Sequence, residues 1–241
     1  MIHEIIAASQ LKNKILAARL SIITASISLF ALLALHLLSP EFAPSWRMVS
    51  EYANGKFEWV LFIFFSCWGI SSWCAGYFLW SYNASTAAKT GVILLFVSGL
   101  GEILAAFFNV NHPQHGTAGT LGIPTFVIAS LLISYNLKNK SEWNENKTWL
   151  LWSAHTTWIS LLLVVITMII MIAGFKNAGI VIGPNQKPPA SVPDGVIALV
   201  GYANRILIIA FIYWLILVSI NYLKIFKAKA QWGQKTFTQA Y

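Results

Sequence analysis

One acidic side chain, Glu102, lies inside an otherwise apolar run, and one basic side chain, Arg205, lies inside another. Each would sit roughly 12–14 Å below the same end of the bundle at 1.5 Å per residue. A charge at mid-helix costs about 2.5–3.5 kcal/mol in a membrane. Two opposite charges at one depth are therefore expected to meet each other or to face a wet cavity. As a buried pair they would only fix helix packing. As cavity lining, Arg205 could hold a carboxylate or phosphate.

The same end of the chain's spans gathers His36, Arg47, Ser50, Glu51, Asn109, Asn111, His112, His115 and Asn204. Together with Glu102 and Arg205, these residues make the candidate ligand site, with His112 and His115 at its rim. Glu51, His112 and His115 are weak candidates for acid or base catalysis. His112 and His115, with a carboxylate, are weak candidates for a metal site, since imidazole and carboxylate suit zinc. Their spacing in a proline-containing loop also fits a solvated turn. His155 reads as a packing residue, and Asp194 as a cap or turn. No phosphate-binding glycine loop, nucleophile elbow, His-Glu-x-x-His or Cys-x-x-Cys pattern is present, and no cofactor is expected.

The elements that must position these groups follow from composition. Of 241 residues, 57% are hydrophobic and only 10% are charged. That composition cannot cover a water-facing surface, so the fold class is all-α, a polytopic membrane protein with a six-transmembrane-helix bundle. The runs fall at about 15–38, 58–80, 91–110, 119–137, 148–174 and 196–223. They are preceded by a short amphipathic segment, 1–14, and followed by a basic tail, 224–241, expected to be partly disordered. Cys67 and Cys74 lie too far apart along one helix to bridge, about 10 Å.

Eleven basic residues fall at the end of the bundle shared by both termini: Lys12, Lys14, Arg19, Lys89, Lys138, Lys140, Lys147, Lys224, Lys227, Lys229 and Lys235. Four fall at the other end: Arg47, Lys56, Lys176 and Lys187. The bias places both termini in the cytoplasm. The net charge of +8 thus reads as topology and contact with anionic lipid, not as nucleic-acid binding. Membrane lipids are the expected partners. Tyr52-Ala53-Asn54 and Tyr202-Ala203-Asn204 also hint at an internal repeat.

The run Pro40-Glu41-Phe42-Ala43-Pro44-Ser45-Trp46-Arg47-Met48-Val49-Ser50-Glu51-Tyr52-Ala53-Asn54-Gly55-Lys56-Phe57 resembles the signature of the DUF998 family of bacterial integral membrane proteins. Gly99-Leu100-Gly101 leading to Phe108, and Gly201-Tyr202-Ala203-Asn204-Arg205, are similar to it as well. The resemblance implies six helices in a bacterial plasma membrane and no established activity. By the family pattern, helix three ends in Pro-Thr-Asp-Pro, followed by a Gly-x-Leu-His segment. Here Asn109, Asn111 and Gly122 stand near those positions, so an acid and an imidazole are replaced.

The functional expectation is a polar pocket on the outer side, bounded by helices one, three and six and the 40–57 loop. It would take a small anionic molecule or a lipid head group. The alternatives are a membrane-embedded hydrolase or transferase using Glu51, His112 or His115, and a small transporter or structural subunit.

Overall fold

The structure is a computed structural model that describes residues 2–82, 85–180 and 189–238, with side chains described for 9–82, 85–180 and 189–227. Six α-helices form it: α1 (Ile2–Leu38), α2 (Glu58–Trp80), α3 (Thr86–Phe107), α4 (His115–Leu137), α5 (Lys147–Asn177) and α6 (Val200–Thr238). Two 3-10 turns, Val49–Asn54 and Ser141–Asn146, complete the regular structure, and no strand occurs among the described residues. All six helices are long and apolar enough to cross a membrane.

The apolar runs set the helices, and local chemistry sets their ends. α1 stops two residues before Pro40. α3 starts at an N-cap, Ser85, whose hydroxyl accepts the Ala88 N–H at 3.2 Å. α2 occupies the expected span. The C-terminal ends of α1 at Leu38 and α4 at Leu137 also coincide with the apolar runs, and the other ends shift. α1 begins at Ile2 rather than near 15, and α6 runs on through the basic tail to Thr238. The first extension is amphipathic and the second basic, so neither reads as a membrane-crossing run, and neither holds a proline to break a helix begun next door. In the 175–195 connection, residues 181–188, which include Lys187, lie outside the described residues, as do the side chains of Lys229 and Lys235.

Each helix packs on its chain neighbours, and α6 returns to α1, so the six close into a ring. α6 is the most enclosed span, with 61% of its most apolar stretch buried, whereas only 17% of the α5 span is. Glycines set the closest approaches. A β-carbon on Gly101 would lie 2.3 Å from the Gly122 amide nitrogen, and one on Gly69 would lie 2.7 Å from the Gly99 carbonyl oxygen. α3 thus meets α2 on one side and α4 on the other, backbone against backbone.

Buried hydroxyls join helices as well. Ser219 donates to Ser21 at 3.0 Å, Ser21 and Ser71 exchange hydrogen bonds, and Ser28 donates to the Phe64 carbonyl. Cys67 and Cys74 are free thiols.

Candidate functional site

The 39–57 connection folds inward as a lid over one end of the bundle. Its 3-10 turn is stabilised from within by Glu51, which accepts the Met48 N–H at 2.8 Å and an Arg47 guanidinium N–H at 2.7 Å. Arg47 also donates to the Pro189 carbonyl and lies 3.9 Å over the Trp46 ring. Both carboxylate oxygens of Glu51 are thereby committed to shaping the turn. That leaves it poorly placed to act as an acid or base.

The start of α6 grips this lid. The Ser45 carbonyl accepts the N–H groups of Gly201 and Tyr202, which a helix start leaves without internal partners. A β-carbon on Gly201 would come within 2.5 Å of the Pro44 carbonyl oxygen, so only glycine admits so close an approach of the lid backbone. One turn on, Asn204 accepts the Val49 N–H through Oδ1 at 3.0 Å.

Arg205 completes the grip. Its guanidinium donates to His36 Nε2 at 2.6 Å, to the carbonyls of Arg47 and Gly201 at 2.8 and 2.9 Å, and to the Tyr52 hydroxyl at 3.2 Å. The His36 tautomer follows, because its Nδ1 faces the Leu32 carbonyl at 2.6 Å. A carbonyl only accepts, so Nδ1 carries the proton and Nε2 presents its lone pair to Arg205. Four of the five guanidinium N–H groups thus go to protein acceptors, and every one of those acceptors is neutral.

Glu102 is 4% exposed and has a different set of partners. Ser72 of α2 donates to it at 2.7 Å, and Ser98, one turn earlier on α3, lies at 3.0 Å. Of the two arrangements expected for it, contact with Arg205 is not formed, and Glu102 instead lines a cavity. The two helices stand on opposite sides of the bundle interior, and depth along a helix says nothing about which way a side chain faces. Ser98 Oγ is also 2.7 Å from the Gly122 carbonyl. With one hydroxyl proton and two neighbours, the count closes when Ser98 donates to Gly122 and Glu102 carries a proton of its own.

Glu102 opens onto a cavity of about 100 Å³, the volume of roughly three liquid waters. α2 contributes Phe65 and Trp68, α3 Gly101 and Ala105, α4 His115, Gly122 and Ile123, α6 Asn204, Leu207 and Ile208, and the lid Val49 and Ser50. α1, expected as a wall, does not line it, and neither does Arg205. His36 of α1 instead holds Arg205 from behind. Trp68 Nε1 is buried with no hydrogen-bond partner among the described residues.

The α3–α4 connection separates the remaining candidates. Asn109 Oδ1 accepts the Asn111 N–H, and the Asn111 amide donates to Asn54 Oδ1 at 2.8 Å. Both therefore tie the connection to itself and to the lid. His112 is exposed, stacks on Phe108 with ring centroids 4.4 Å apart, and accepts the Gln114 N–H at Nδ1. His115 uses Nδ1 to donate to the Phe108 carbonyl at 2.7 Å and reaches the cavity wall. Its Nε2 has no partner among the described residues. No three His, Cys, Asp or Glu side chains gather as a metal site among the described residues.

A family model described as a protein of unknown function (DUF998) matches residues 22–221. The chain belongs to the DUF998 family. It is a multi-pass integral membrane protein of uncharacterised function. No curated protein and no solved structure matches the chain. The DUF998 match runs from α1 into α6 and so takes in the whole lid and both of its anchors.

The residues that carried the DUF998 resemblance now have physical roles. Gly201, Asn204 and Arg205 hold Pro44–Tyr52 in place, while Gly101 lets α3 touch α4. Tyr52 of one Tyr-Ala-Asn triplet receives Arg205, and Asn204 of the other receives Val49, so one triplet lies in the lid and the other on α6.

Sequence reading missed Ser72, Ser98, Tyr52 and Trp68. Ser98 was findable, since it stands four residues before Glu102, on the same helix face. Ser72 and Trp68 come from another helix, and nothing in their own segment marks them.

Proposed function

We propose that this protein is a plasma-membrane binding protein whose cavity takes the hydrogen-bond-donating head of a small amphiphile, an amine or a hydroxyl. The observation that carries this reading is Glu102. It faces a mostly apolar cavity with two serine hydroxyls as its hydrogen-bond partners and no cation paired with it among the described residues. An anion would have to be held by Arg205, whose donors are already turned to the lid and to His36. The cavity's size suits a head group of a few heavy atoms rather than a whole metabolite, for which pockets of about 300–1,000 Å³ are usual. Trp68 and Asn204 supply further polar atoms at its walls.

Thermal unfolding in detergent tests this. Short-chain phosphatidylethanolamine should raise the Tm of the wild type, and phosphatidylcholine, which has no N–H to donate, should not. Saturation at about 100 times Kd corresponds to ~2.7 kcal/mol. Glu102→Leu, which has no acceptor to offer, should lose the shift. Equal shifts with both lipids, or an unchanged shift in Glu102→Leu, would overturn the reading.

A second reading rests on His115, whose partnerless Nε2 belongs to a residue lining the same cavity as Glu102. An imidazole base beside a carboxylic acid would suit hydrolysis or transfer at the bound head group. Release of a cleaved head group by the wild type but not by His115→Asn is the expected result if the protein is an enzyme.

We also infer that both termini lie in the cytoplasm, on the strength of the basic-residue bias. A fluorescent protein fused after Tyr241 should then mature, and an alkaline phosphatase fused there should be inactive.

A further inference from the structure

At the end of the bundle that carries the termini, α4 and α5 leave a groove of about 680 Å³ between them. Lys138 stands at the end of α4 and Lys147 at the start of α5, and both line the groove mouth together with Thr148. Leu151, Trp152 and Ile159 continue it along α5 into the apolar span. The charged mouth and apolar floor are therefore stacked along the bilayer normal, as the head and tail of a lipid are.

Neither ammonium is paired with a carboxylate among the described residues. Lys138 lies 4.3 Å over the Tyr135 ring instead. The nearby acids turn elsewhere or are solvated: Glu142 lies against Tyr82, Glu145 is exposed, and neither lines the groove. His155 fixes the aromatic wall. Its Nδ1 accepts the Trp158 indole N–H at 2.8 Å, so its Nε2 carries the proton and donates to the Tyr135 hydroxyl oxygen at 3.1 Å. The Tyr135 hydroxyl proton is left for another acceptor. The first N–H groups of α5 add their partial positive charge at the same level.

We propose that this groove is a binding site for an anionic diacyl phospholipid, with its phosphate between Lys138, Lys147 and Thr148 and an acyl chain along Leu151, Trp152 and Ile159. Charge complementarity names the head group, and the apolar floor names a lipid rather than free phosphate. The looseness of the α5 span, 17% buried, leaves the groove open from the bilayer.

Native mass spectrometry of the full chain with added phosphatidylglycerol or phosphatidylcholine of matched acyl chains tests it. The expected result is a clear preference for phosphatidylglycerol that falls about fivefold for each lysine removed in Lys138→Gln and Lys147→Gln. Lys138→Arg with Lys147→Arg should keep the preference. Lys224→Gln with Lys227→Gln, which removes equal charge from exposed positions at the same end, should keep it too.

Equal uptake of the two lipids would overturn the proposal, as would a preference that survives the double glutamine variant. So would displacement of the lipid by millimolar inorganic phosphate alone, which would mark a free-anion site. A dimer that excludes the lipid would assign the groove to a second copy of the chain and also overturn it.

Discussion

Removing the Arg205 guanidinium leaves four acceptors behind at once: His36 Nε2, the Arg47 and Gly201 carbonyls and the Tyr52 hydroxyl. A buried acceptor without a donor costs about 1–3 kcal/mol, so Arg205→Gln should lower stability by about 3 kcal/mol. Glu102 and Arg205 share no partner, and in a double-mutant cycle with Glu102→Gln their losses should add to within about 0.5 kcal/mol. Arg205 and His36 should couple by more than that.

The glycines give an opposed pair at the same scale. Gly201→Ala forces a β-carbon against lid backbone and should cost about 1–3 kcal/mol. At Gly122 the nearest atoms to an added β-carbon are 3.7 Å away, so Gly122→Ala should be neutral or stabilising, through the roughly 1 kcal/mol helix preference for alanine. Thermal unfolding reads both. Sequence shows which residues are expensive to place in a membrane, and in that sense Glu102 and Arg205 were visible. It does not show their rotation about the helix axis, which decides that one faces a cavity and the other a lid.

Among the elements, the lid is held mainly by side chains and carbonyls that α6 reaches. Asn204→Leu should therefore free the Val49 amide and speed its hydrogen exchange selectively, leaving the central spans protected. At the opposite end, the α2–α3 turn packs a half-buried Tyr82 against Trp143, Tyr222 and Phe226. Burial, reinforced by Glu142 nearby, pushes the Tyr82 phenol up from 10.0 to about 12. A raised phenol contributes its full stability below the unfolded value and loses it as pH rises toward the folded one. Stability should thus decline between about pH 10 and pH 12, and Tyr82→Phe should flatten that decline in alkaline unfolding curves. Six spans were legible because each is a long apolar run. The first turns of α1 and the tail of α6 were not, because an amphipathic and a basic stretch extend those helices without a long apolar run.

For the whole molecule, closing the ring puts the first and last helices side by side, with His36 of one against Arg205 of the other. This arrangement has a consequence for synthesis. Val49 and its partner Asn204 are 155 residues apart, and chains grow at about 5–20 residues per second. With both termini in the cytoplasm, as inferred above, the lid is made, translocated and left without its anchors for roughly 8–30 s before α6 arrives. On that topology every intermediate up to α5 should present Ser50 and its neighbours to the far side of the membrane, open to proteases and thiol reagents. Insertion of α6 then seats the lid in one step. A ribosome-stalled chain ending before Val200 should label readily at Ser50→Cys, and the released full chain should resist. The accessibility of the loop between the first two helices should thus record whether the last one has been delivered.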